Sequence, residues 1–197
     1  MSKNLQKIRS VCVYCGASTG RGDAYQAAAA ELGRFFATED IRLVYGGGSF
    51  GLMGEVSAAC MTESGHVTGI IPRHLFEKEG QNHAITELVQ VDNMHERKRK
   101  MVDESDAFVI LPGGLGTLDE AFEILTWKYL GLHDKPIVFL NIEGYFNPLL
   151  AMIDHMVEQG FTPFWHRALF HVVEDISDVL RVMKAQPEHL ETDTSKI

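Results

Sequence analysis

The sequence is short of the features that would mark a redox, zinc, membrane or nucleic-acid-binding protein. Only 3 of its 197 residues are cysteine. Cys12 and Cys15 form a C-x-x-C, but inside the strand-like run Val11-Cys12-Val13-Tyr14-Cys15 rather than on a turn entering a helix. Residues i and i+3 of a strand point to opposite faces, so these two thiols are expected to be buried, structural and unbridged. There is no second cysteine pair, and the 9 histidines form no H-E-x-x-H or similar cluster, so no metal and no cofactor is expected. No apolar run approaches the roughly 18 residues that a membrane span needs. The start, residues 1–10, is polar and basic with no signal-like apolar stretch behind it, and a cytoplasmic location is expected. Lysine and arginine number 18 against 27 acids, a formal net charge of -9, which repels a nucleic-acid polyanion at long range. A small phosphorylated ligand is still admissible, because a pocket needs only local positive potential.

What the chain does have is alternation. Strand-like runs at 8–15, 41–45, 66–71, 87–91, 107–111, 136–140 and 170–173 are separated by helical stretches at 24–38, 54–64, 94–105, 117–129, 148–159 and 176–184. That order predicts an α/β fold: one Rossmann-like domain over 1–185, with a mostly parallel β-sheet and helices on both faces, followed by a polar tail at 186–197. Open sheets of this kind bind ligands beyond the carboxyl ends of their strands.

Three stretches fall on such loops. Gly46-Gly47-Gly48-Ser49-Phe50-Gly51 follows the second strand and fits G-x-G-x-x-G. The acidic residue that a dinucleotide site places at the end of the next strand is missing, because the chain there reads Ile70-Ile71-Pro72-Arg73. Either the glycines let backbone N–H groups approach a phosphate, or they serve a tight turn. Leu111-Pro112-Gly113-Gly114-Leu115-Gly116-Thr117 repeats the arrangement after the fifth strand, with Thr117-x-x-Glu120 readable as a capping box. On that helix the expected apolar stripe is Leu118, Ala121, Phe122, Leu125 and Tyr129. Glu120 then lies on the other side with Ile124 and Trp127, as if at a pocket or an interface. In Met94-His95-Glu96-Arg97-Lys98, helical spacing puts Arg97 and Lys98 on the face of Met94 and Met101. Cations so placed require an anion, either a carboxylate or a ligand phosphate, and the ligand is the expectation taken here.

Together these three ordered motifs resemble the Lonely Guy family, the cytokinin riboside 5'-monophosphate phosphoribohydrolases, over about residues 10–182. The resemblance implies a Rossmann-like homodimer that hydrolyses N6-modified adenosine monophosphates, and often AMP, to the free base and ribose 5-phosphate. It places the catalytic pair on Arg97 and Glu120. It places nucleotide binding on Glu79, Arg97, Lys98, Gly114, Leu115, Gly116, Thr117, Leu118, Asp119, Glu120 and Thr126, beside the motif residues Gly46, Gly47, Gly48, Met94 and Gly113. Many relatives carry an aromatic residue where Leu115 stands. A "lysine decarboxylase" label travels with the same motifs, but no lysine here is singled out for a pyridoxal Schiff base. The alternative is a nucleotide or molybdenum-cofactor carrier of the same fold that binds without turnover. In the hydrolase reading a carboxylate near C1' stabilises an oxocarbenium-like sugar or orients water, which is assigned to Glu120. Arg97 stays charged and positions, and the leaving base takes its proton from solvent or another group.

Overall fold

The computed structural model describes residues 8–76 and 84–185. The expected tail therefore lies outside the described residues, as does Glu79. Seven strands form one sheet in the order β4-β3-β2-β1-β5-β6-β7. They are β1 (Ser10–Tyr14), β2 (Arg42–Tyr45), β3 (Val67–Pro72), β4 (Glu87–Val91), β5 (Ala107–Ile110), β6 (Ile137–Leu140) and β7 (His171–Val173). Every neighbouring pair is parallel. The helices are α1 (Ala24–Thr38), α2 (Gly51–Thr62), α3 (Met94–Asp103), α4 (Leu115–Tyr129), α5 (Asn147–Glu158) and α6 (Ile176–Lys184).

A parallel sheet needs both faces covered, and its central strands are apolar on both sides. In β1, Val11 and Val13 join one core with Leu32 and Phe36 of α1, Val56 of α2 and Val179 of α6. Cys12 and Tyr14 join the other, with Met101 of α3, Ile124 of α4 and Ile153 of α5. The period of two therefore sorts the cysteines as expected: Cys12 lies in the second core and Cys15 in the first, both buried free thiols.

Two helices begin earlier than their sequence patterns indicate. The first is α2, which starts at Gly51, because Phe50 is extended and the Leu52 amide donates to the Gly16 carbonyl at 3.0 Å. The second is α4, which starts at Leu115 with Gly114 as its N-cap and no side-chain cap, so Thr117 is the third helical residue and the capping-box reading does not hold. The buried stripe of α4 is Thr117, Ala121, Ile124 and Leu125. Ile124 thus belongs to the core, whereas Phe122, expected inside, is 40% exposed. Apolar residues run nearly round this helix, and periodicity does not choose between overlapping stripes. Thr117 decides it, docked where any Cβ on Gly113 would collide with it.

Candidate active site

Between β1 and β5 the chain changes direction across the sheet, since β1 leads on to β2 on one side and β5 to β6 on the other. Loops leaving the two strand ends diverge there and open a crevice. A cavity of about 470 Å³ fills it. Its lining comes from the turn after β1 (Cys15, Gly16, Ala17, Ser18, Thr19 and Gly20), from Leu52 and Met53 of α2, and from Arg97 of α3. The turn after β5 adds Pro112, Gly113, Gly114, Gly116, Thr117 and Glu120, and Tyr25 and Tyr145 complete the wall. Gly16 N–H donates to the Pro112 carbonyl at 3.0 Å, tying the two turns together.

Glycine plays two roles around this cavity. Gly46 is buried behind Arg97, and a Cβ there would overlap the guanidinium. Gly51 has φ of 59° and would run into the Ala17–Ser18 backbone. The first glycine turn packs behind Arg97, and Gly46, Gly47 and Gly48 are buried and not among the described residues that line the cavity. Gly114 and Gly116 differ, because nothing lies within 4 Å of a Cβ on either and neither has positive φ. Gly114 is the N-cap, where glycine is well tolerated, whereas Gly116 lies inside the first turn, where glycine is the poorer helix former by roughly 0.8–1 kcal/mol relative to alanine. Packing does not require glycine at either position, and both leave the backbone open to the cavity. The first amides of α4 have no carbonyl one turn back and carry the positive end of the helix dipole.

Arg97 is 5% exposed, as its place on the methionine face implied. Its Nε donates to the Ile70 carbonyl at 3.1 Å, one terminal nitrogen donates to the Gly46 carbonyl at 3.0 Å, and the other lies 3.8 Å from the Met94 sulfur. The strand ends of β2 and β3 thereby fix the guanidinium at the cavity wall. Glu120 lines the same cavity from the second turn of α4. Burial first, and then the Glu120 carboxylate, push the Cys15 thiol well above its ordinary value, so Cys15 presents a neutral S–H to the cavity.

Lys98 lies outside the lining. Its ammonium meets Glu123 at 2.9 Å and Asp119 at 3.2 Å, a cross-tie from α3 to α4. Burial works against its charge, but the hydrogen bonds it donates to Glu123 and Asp119 outweigh it and raise its pKa. Of the two anions considered for Lys98, the structure provides carboxylates. Leu115 is 88% exposed and is not among the described residues lining the cavity, and Leu118 packs against the core. Thr126 is exposed, with its hydroxyl on the Phe122 carbonyl at 2.7 Å, and borders a separate recess.

The turn at residues 16–20 and the two tyrosines were not singled out from sequence. Gly16-Ala17-Ser18-Thr19-Gly20 has the same grammar as the later turns, small residues between a strand and a helix, and could have been found by it. Tyr145 leaves no such trace, because it follows a short 3-10 turn, Ile142–Gly144, and reaches the cavity only through tertiary packing.

Comparison with known proteins supplies the family. The family described as "Possible lysine decarboxylase" matches residues 53–183, although among the described residues no lysine lines the cavity. A probable cytokinin riboside 5'-monophosphate phosphoribohydrolase from Oryza sativa subsp. japonica is 46% identical over 90% of this chain and 78% of its own length. A cytokinin riboside 5'-monophosphate phosphoribohydrolase from Arabidopsis thaliana is 49% identical over 81% of this chain and 74% of its own length. Among solved structures, the molybdenum cofactor carrier protein of Chlamydomonas reinhardtii shares the fold, with a TM-score of 0.68 at 21% identity over 90% of this chain and 97% of that one. With sequence identities of this size over most of its length, and with the motif arginine and glutamate meeting in one crevice, the chain belongs to the Lonely Guy family of cytokinin riboside 5'-monophosphate phosphoribohydrolases.

Proposed function

We propose that this protein hydrolyses the N-glycosidic bond of adenosine 5'-monophosphates, N6-modified ones in particular, releasing the base and ribose 5-phosphate. The observation that carries the reading is the pair Gly114 and Gly116, which leave open space beside the backbone of a cavity that Arg97 and Glu120 share. A 5'-phosphate at the start of α4 accepts from the free first-turn amides and lies at the positive end of the helix. Glu120, a turn further along, then stands toward the sugar, where its carboxylate stabilises the oxocarbenium-like C1' and orients water. The C1'–N9 bond breaks with its electron pair leaving on the base, water supplies hydroxide to C1', and the base takes up a proton from solvent. Arg97, held by two carbonyls, positions the reacting end without giving up its proton. Lys98 acts through Asp119 and Glu123, holding α4 in place against α3. No cofactor has a part in this chemistry.

The protein is further proposed to work as a homodimer. Phe122 and Thr126, one turn apart on α4, border an apolar recess of about 180 Å³ with Tyr129, Met156 and Phe170. Phe122 is 40% exposed there, and a second copy covering this face would bring Thr126 into an interface. No helix among the described residues is long and apolar enough to cross a membrane, and a cytoplasmic setting is part of the same proposal.

The test is to incubate the purified protein with AMP and with isopentenyladenosine monophosphate and to separate free bases from nucleotides. Base should be released from at least one. Measurable binding with no base from either would overturn the hydrolase reading in favour of a carrier. Sedimentation of the wild type and Phe122→Asp tests the dimer, which the substitution should dissociate.

A further inference from the structure

The Tyr145 hydroxyl donates to the Gly113 carbonyl at 2.6 Å, joining the β6–α5 connection to the turn that starts α4. This hydrogen bond crosses 32 residues of chain, and its donor comes from a segment shaped to deliver it. Glu143 and Gly144 both take left-handed backbone, with φ of 51° and 70°. The buried Asn141 holds that turn, accepting from the Phe146 amide at 2.7 Å and donating to Asn147 Oδ1 at 2.9 Å. The Tyr145 ring then lies edge-on to the buried Phe146, at 5.0 Å between centroids, and edge-on to Tyr25, at 5.8 Å. Tyr145 is 40% exposed, so the turn below it, the two ring contacts and the hydroxyl bond, rather than burial, set its orientation.

The bonded carbonyl belongs to the peptide unit whose N–H is that of Gly114. A peptide unit is planar, and no cis bond occurs among the described residues, so C=O and N–H point in opposite directions. Fixing the direction of the Gly113 carbonyl therefore fixes the direction of the Gly114 amide. That control matters at this turn, because Gly114 and Gly116 have open space where side chains would be and glycine backbone is free to rotate. Gly113 is already confined on its other side by Gly16 and Thr117.

We infer that Tyr145 is a positioning residue for the phosphate end of the site, acting through the Gly113–Gly114 peptide to keep the start of α4 set for a phosphate monoester. The inference rests on the proposed placement of the 5'-phosphate at that turn. Tyr145→Phe removes the hydroxyl and keeps both ring contacts, so the thermal midpoint should hardly move. Binding of ribose 5-phosphate, measured by calorimetry, should weaken about three- to tenfold, the effect of one modest hydrogen bond on a preorganised site. The KM for AMP should rise by a similar factor with kcat within about twofold, and binding of adenine, which lacks the phosphate, should be unchanged. Ribose 5-phosphate affinity within twofold of wild type, or equal weakening of adenine and ribose 5-phosphate, would overturn the inference. Wild-type protein that binds ribose 5-phosphate but releases no base from AMP overturns the hydrolase reading alone, and the calorimetric comparison still decides Tyr145. Wild-type protein with no affinity for ribose 5-phosphate overturns both.

Discussion

Arg97 and Gly46 are fitted to one another: the guanidinium donates to the Gly46 carbonyl at 3.0 Å and occupies the space that a Cβ at position 46 would take. Through this contact a glycine that does not line the cavity governs a side chain that does. Gly46→Ala should displace Arg97, reduce base release by at least about tenfold, and lower stability by about 1–3 kcal/mol as an overpacked core position. Arg97→Lys should lose activity without that overpacking, because one ammonium does not reproduce a fork bonded to both Gly46 and Ile70. Turnover assays and thermal melts of the two variants check the pair, and a fully active Gly46→Ala would show that Arg97 can move without consequence.

Glu120→Gln keeps the shape of the side chain and removes its charge. Affinity for AMP should hold within a few-fold, while kcat should fall by about a hundredfold or more, as when a transition-state charge partner is lost. Normal turnover would leave Glu120 a bystander at the cavity wall.

Gly116→Ala separates folding from binding. Alanine is the better helix former by roughly 0.8–1 kcal/mol, and nothing lies within 4 Å of the new methyl, so the thermal midpoint should rise. Affinity for ribose 5-phosphate should drop by about tenfold or more as the methyl enters the cavity. A more stable protein with unchanged affinity would place the phosphate elsewhere.

Lys98→Met should remove the α3–α4 cross-tie and cost about 1–2 kcal/mol, between the values for exposed and buried pairs, since the Lys98 side chain is 12% exposed and its partners Glu123 and Asp119 are 23% and 62% exposed. A double-mutant cycle with Glu123→Gln measures the coupling. Additive effects would deny the tie.

Stability should fall on both sides of a plateau near pH 7–8.5. Burial holds Cys12 and Cys15 far above their ordinary 9.0 and pushes Cys60 up to about 11, so above pH 9 the unfolded chain loses protons that the folded chain keeps and stability declines. Lys98, raised above 10.5, contributes with the same sign at still higher pH. Below pH 6.5 the unfolded chain protonates His133 and His171, which burial lowers in the folded state, and stability declines again as pH falls. Thermal midpoints from pH 5 to 10 check both limbs, and Cys15→Ala should flatten the alkaline one.

The sequence by itself determined the layered α/β fold, the opposite facing of Cys12 and Cys15, and the burial of Arg97, because each follows from a local repeat of two or 3.6 residues. Tertiary structure alone decided which glycines line the cavity, since Gly46 and Gly114 read alike in the chain and differ in what stands beside them. It also set Lys98 beside Asp119 and Glu123, turned Ile124 into the core and Phe122 out of it, and brought Tyr145 onto Gly113. These outcomes depend on crossovers joining segments tens of residues apart, such as Gly16 to Pro112, and a local pattern carries no record of its distant neighbours.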